Sequence, residues 1–153
     1  MKRGIAIGVT GVVMVVAACT GCSSNKSTSG ASSPAAAPGT QVVVGGQKQN
    51  VSGQVSCTPS GANVNIGIGD ASDGVGAVVS NGNPPIVHSV GLGSVNGVTL
   101  GFSDAAPNQA GNAGAAVNGK SYAIKGTATG VDMSNPQHPK PVTKPFEMDV
   151  SCP

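Results

Sequence analysis

Four cysteines carry most of the chemistry this chain can do, and their spacing separates them into two pairs with different roles. Cys19 and Cys22 stand at the end of an apolar segment, and Cys57 and Cys152 stand far apart in the remainder. The chain starts with Lys2 and Arg3, runs uncharged from Ile5 to Ala18, and then reads Cys19-Thr20-Gly21-Cys22-Ser23-Ser24. A positive start, a short apolar stretch and small residues before the cut are the marks of an export signal. A cysteine at the first mature position adds lipid attachment, in which its thiol takes a diacylglycerol and anchors the mature protein to a membrane. The apolar segment is too short for a bilayer span, which needs about 20 residues. A plain secretory signal would leave the cysteine without a purpose. Cys22 is the preferred lipidation site, for its Thr-Gly approach and Ser-Ser exit. Cys19 is the alternative, because Val16-Ala17-Ala18-Cys19 fits the usual lipoprotein consensus better.

Cys57 and Cys152 are the remaining pair. Two cysteines in an exported domain form a disulfide. Closing so long a loop is worth about 4 to 5 kcal/mol on the chain-entropy view. A redox role would favour cysteines close in sequence.

The other reactive side chains do not assemble into a catalytic pattern. Of the two histidines, His88 falls on the apolar face of an alternating run with Ile86, Val90 and Leu92, which predicts a hydrogen-bonded or half-buried imidazole. His138 lies among Pro136, Pro139 and Pro141, in a solvated loop. Asp70 and Asp73 flank Ala71-Ser72 without the ligand ladder of a calcium loop. Asp132 and Glu147 are isolated. Neither a nucleophile elbow nor histidines at metal-binding spacing occur. Gly67-x-Gly69 and Gly91-x-Gly93 sit within strand patterns with no helix behind them, so they mark bulges or close sheet packing rather than a phosphate cradle. The expectation is a protein without enzymatic activity, cofactor or metal.

The formal net charge of +2 belongs to the signal. Without Lys2 and Arg3, lysines and carboxylates balance, so the basic footprint of a nucleic-acid binder is missing. Three regions follow: a lipoprotein signal peptide over 1–21, a lipidated Ser/Ala/Pro-rich linker over 22–40, and one domain over 41–153. The linker composition cannot bury enough surface to order itself, which predicts a disordered tether. With 24 glycines, 11 prolines, two phenylalanines and one tyrosine, the domain must pack branched aliphatics and alanines.

The elements that position these residues follow a period of two. Val42-Val43-Val44, then Val51, Val55 and Cys57, then Val64, Ile66 and Ile68, then Val75 to Val79 all read as strands. Asn96-Gly97 links Ile86–Leu92 to Val98, Leu100 and Phe102 as a hairpin. Residues 104–114 read as loop, Asn118-Gly119 as a tight turn, and Tyr122, Ile124, Gly126 and Ala128 as one strand face. Asn135 to Pro145, with four prolines, reads as a connection. A weak helical turn is suggested at Val131–Asn135. Phe146, Met148, Val150 and Cys152 share the face of a last strand. About eight short strands separated by turns describe an all-β domain, a small antiparallel sandwich or a partly open barrel. Cys57 and Cys152 each share a face with apolar residues, so their bridge would staple the first long strand to the last.

Several stretches carry a resemblance. Met1-Lys2-Arg3-Gly4, Gly21-Cys22-Ser23-Ser24-Asn25-Lys26-Ser27-Thr28, Asn81-Gly82-Asn83-Pro84-Pro85, Ser89 to Gly101 and Gly126 to Met133 resemble the mycobacterial 19-kDa lipoprotein antigens, over nearly the whole chain. The resemblance implies an acylated, often glycosylated cell-envelope lipoprotein, recognised by the host pattern-recognition receptor Toll-like receptor 2 through its lipid. It implies that Cys22 is the modified residue, and a cysteine pair matching Cys57 and Cys152. The chain departs from the family at Cys19, where the family carries leucine. Two functions are expected from this. The first is a lipid-anchored surface interaction module and antigen on the outer face of the cell membrane. The second is an envelope carrier that binds a lipid or glycolipid in a small apolar cavity left by the ring-poor core.

Overall fold

A computed structural model describes residues 39–107 and 110–153. Ten strands form one antiparallel sheet: β1 (Gln41–Val44), β2 (Gln47–Gln49), β3 (Val55–Ser60), β4 (Asn63–Ile68), β5 (Val75–Ser80), β6 (Val87–Val95), β7 (Val98–Ser103), β8 (Asn112–Asn118), β9 (Ser121–Asp132) and β10 (Lys140–Ser151). Their order is β2-β1-β10-β9-β7-β6-β5-β4-β3, and β8 pairs with the first half of β9 beside β7. The sheet is therefore a curled half-barrel, the partly open barrel of the two architectures expected.

The turns carry the chemistry their geometry requires. Val44 pairs with Gln47 around Gly45-Gly46, and Val95 pairs with Val98 around Asn96-Gly97. All four turn residues have positive φ, from 52° to 79°. Two-residue loops with both φ values positive match the twist of the strands they join.

Alternation decides which side is core. Val64, Ile66 and Ile68 in β4, Ile124 and Ala128 in β9, and Phe146, Met148 and Val150 in β10 are all buried, and their neighbours face outward. Phe146 is the one aromatic ring in the buried core, which otherwise consists of Val, Ile, Leu, Ala and Met.

The expected all-β domain of about eight strands is met with ten, β2 and β8 being additions that carry no apolar alternation. Three expectations are corrected. Residues 112–114, read as loop, open β8. The helical turn expected at 131–135 is absent: β9 continues to Asp132, and a 3-10 turn forms instead at Ala71–Asp73. The proline-rich segment is a connection only to Pro139, and β10 takes in Pro141 and Pro145. The Pro145 carbonyl accepts a hydrogen bond from Gly45 N–H at 2.8 Å, so this residue's backbone points away from β9. Its missing N–H removes no bond from the β9 ladder, and Pro141, four residues earlier, faces the same way.

Candidate functional site

The Cys57–Cys152 disulfide is formed, with the two Cα atoms 5.7 Å apart and a sequence separation of 95. Cys57 lies on β3 and Cys152 follows β10, and these strands are six neighbours apart in the sheet. At about 4.8 Å per strand, a flat sheet would separate them by roughly 29 Å. The bridge is compatible only with a sheet rolled back on itself, and it joins regions that no backbone ladder connects. Cys152 N–H donates to the Lys120 carbonyl at 2.9 Å, and the Ser121 and Ser151 hydroxyls meet at 3.0 Å. Gly39 approaches Ser151 at this same end. Gly39, the first described residue, thus lies beside the disulfide. Cys22 and Cys19 themselves lie outside the described residues.

His88 is not on the buried face. A register shift between Val78 and Val79 leaves it as the extra residue of a β-bulge, with Ser89 opposite Val78 and Val87 opposite Val79. Val87 is buried in its place, and Ile86 is 58% exposed. The half-exposed His88 ring meets Asp104, Nδ1 to Oδ2, at 2.7 Å, and Asp104 N–H donates to the His88 carbonyl at 2.9 Å. With Nδ1 protonated the imidazole donates to the carboxylate, so the expected hydrogen-bonded imidazole is present and pins the bulge to the end of β7. His138 is exposed, its N–H bonded to the Asn135 carbonyl.

The carboxylates are separate. Asp132 accepts from the Ser134 hydroxyl at 2.5 Å and from Ser134 N–H at 2.8 Å. These bonds, helped by Lys140, hold its pKa below the usual 3.8. Glu147 meets Lys125, directly opposite on β9, at 3.1 Å. Asp70 and Asp73 begin and end the 3-10 turn, with Asp73 N–H bonded to the Asp70 carbonyl. Among the described residues no group of three His, Cys, Asp or Glu side chains stands together as a metal site.

Clefts open on the half-barrel. One of about 430 Å³ reaches Ile68 and Leu92 between Gln49, Val51, Asp73 and Val95. A polar one of about 620 Å³ lies between Ser52, Gln54, Ser56, Asp70 and Asp73. A third, of about 350 Å³, lies under the β1–β2 turn and is lined by Val44, Val95, Val98, Leu100 and Val142, with Lys144 and Asp132 also lining it. These residues come from four strands and the end of β9. No local sequence signal marks such a cleft, because it exists only once the sheet has rolled.

Comparison with known proteins completes the description. A family model described as Mycobacterium 19 kDa lipoprotein antigen matches residues 33–152. The chain is 51% identical over 162 residues to Lipoprotein LpqH of Mycobacterium tuberculosis H37Rv, covering 99% of each chain. It is equally similar to Lipoprotein LpqH of Mycobacterium bovis BCG Pasteur. It is 50% identical over 163 residues to the protein of the same name in Mycobacterium avium, again covering 99% of each.

Proposed function

This chain belongs to the Mycobacterium 19 kDa lipoprotein antigen family, and from that membership we propose that it is an envelope lipoprotein whose acylated cysteine is its functional site. In this reading a signal peptide over 1–21 is removed and Cys22 receives the lipid. Residues 22–40 tether the β domain to the outer face of the cell membrane. The domain is an interaction module, and the acylated N-terminus is the part a host pattern-recognition receptor of the Toll-like receptor 2 type would engage. The observation that carries this is the position of Cys22 at the end of a short apolar segment, followed from Ser23 to Thr40 by a polar sequence without an apolar run. A linker of that composition would let the lipid and the domain each be presented on its own.

The test is the Cys22→Ala variant beside Cys19→Ala and the double variant. Intact mass and membrane partitioning are measured in a mycobacterial host, and receptor stimulation is measured on reporter cells. Loss of acyl mass, membrane retention and stimulation in Cys22→Ala supports the reading. Loss only in Cys19→Ala moves the site to Cys19, and retention of all three in the double variant overturns it.

A second reading, an envelope carrier for a lipid or glycolipid, is supported by the 350 Å³ cleft with its five apolar side chains. That volume is at the low end for ligand sites. Mass spectrometry of the native protein distinguishes the two: a noncovalent lipid, displaced when Leu100 or Val142 is replaced by a larger side chain, favours the carrier.

A further inference from the structure

We propose that the outer edge of β8 is a self-association surface, on which a second copy of this chain pairs its own β8 antiparallel about Ala115. The argument begins with how the other free edges are guarded. An exposed strand edge is a template for pairing, and proteins blunt it with prolines, lysines or short strands. β2 is three residues long and carries Lys48. β3 carries Pro59 and is tied down through Cys57. The part of β10 that β1 does not cover holds Lys140, Pro141, Lys144 and Pro145.

β8 has none of these devices. Its seven residues, Asn112-Ala113-Gly114-Ala115-Ala116-Val117-Asn118, contain no proline and no charge. They pair with β9 in unbroken register on one side. Among the described residues no backbone hydrogen bond reaches the other side. Gly114 faces open space, with no atom within 4 Å of a Cβ placed there.

The sequence of the edge selects the occupant. Antiparallel pairing about Ala115 sets Asn112 opposite Asn118 of the partner, and Gly114 opposite the partner's Ala116. On the inner face it sets Ala113 opposite the partner's Val117. Every pair is apolar to apolar or amide to amide, so no like charges meet. Val117, 44% exposed in the single chain, gains a cover. Ala113 and Ala115 already pack on the core, so the apolar layer would continue across the junction. Seven residues make a small interface, of the weak and transient class, which membrane confinement would strengthen by raising local concentration.

The experiment uses the full-length chain in whole mycobacterial cells, with the parent chain oxidised alongside so that any cross-link through Cys19 or Cys22 is subtracted. Ala115→Cys is expected to give a disulfide-linked dimer on mild oxidation, read on non-reducing gels. Gln47→Cys, on the exposed β2 edge, is expected to stay monomeric. Adding Ala116→Lys to Ala115→Cys places a charge on the edge and should cut the dimer yield at least tenfold. Unchanged protein level and circular dichroism confirm that the fold is intact. The proposal is overturned if Ala115→Cys stays monomeric, if Gln47→Cys cross-links equally, or if Ala116→Lys leaves the yield unchanged.

Discussion

Replacing both Cys57 and Cys152 by serine is expected to lower stability by about 4.7 kcal/mol. The figure comes from the entropy of closing a loop whose ends are separated by 95 positions in sequence, taken as about 2.1 + 1.5R ln n cal/mol/K at 25 °C. Domains of this size have a total stability of about 5–15 kcal/mol, so the variant should fold but with a thin margin. Unfolding entropy is about 2.1 cal/mol/K per residue. Over about 115 residues the loss corresponds to a fall of roughly 15–20 °C in Tm. Thermal unfolding by circular dichroism measures the total, and amide hydrogen exchange measures where it falls. The sheet path from β10 to β3 passes through six pairings, and among the described residues no ladder pairs β3 with the far side, which the bridge reaches. Exchange should therefore accelerate in β3 and β4 well before β9 and β10, which pair over twelve residues. A Tm drop below about 5 °C would refute the loop-closure reasoning. A full drop with uniform exchange would leave the entropy argument standing and refute the claim that the bridge closes the barrel edge.

Two smaller perturbations test the packing and the surface chemistry. Gly126→Ala would drive a methyl into the Asn112 carbonyl and to 2.7 Å from the Ala113 Cα, and should cost about 1–3 kcal/mol. Gly114→Ala, on the strand opposite, meets only open space and should be neutral or slightly stabilising, the pair being compared by urea midpoints. Asp132 should titrate below 3.8 by NMR, and Ser134→Ala should raise that value. Because its folded pKa is depressed, whatever it contributes is complete above the unfolded value and disappears as pH falls through the folded one.

Strand patterns were legible wherever one face is buried without interruption. Val64, Ile66 and Ile68, or Phe146, Met148 and Val150, alternate on the page as they do in the sheet. The pattern misled at His88 because a bulge inserts one residue and reverses parity, so that Val87 turns inward and Ile86 outward. A one-residue shift sends each side chain to the other face, and nothing local announces it. The glycine pair at Gly91 and Gly93 was a better guide, since a second irregularity falls between Gly91 and Ser94. β8 escaped notice for the opposite reason: alanine and glycine give too little contrast for a period to show. The disulfide was legible from counting, and the clefts were not, because their walls meet only after closure.

The thin core and the covalent bridge have one cause. With one aromatic ring buried and most of the interior built from valine-sized groups, each core position contributes less burial than a larger side chain would. A sheet of such residues gains little from each added strand, and an open sheet of ten would leave its inner face partly wet. Rolling it shut buries that face, but the last pairing that would complete a barrel is missing between β3 and the β1–β2 edge. A disulfide supplies at that gap what a hydrogen-bonded ladder supplies elsewhere, and it does so without fixing the spacing along the whole edge. The clefts of 430 and 620 Å³, which draw on the β2–β3 link and on β3 itself, are the space this leaves. An aromatic-rich relative with the same topology could dispense with the bridge, whereas this composition makes closure depend on it.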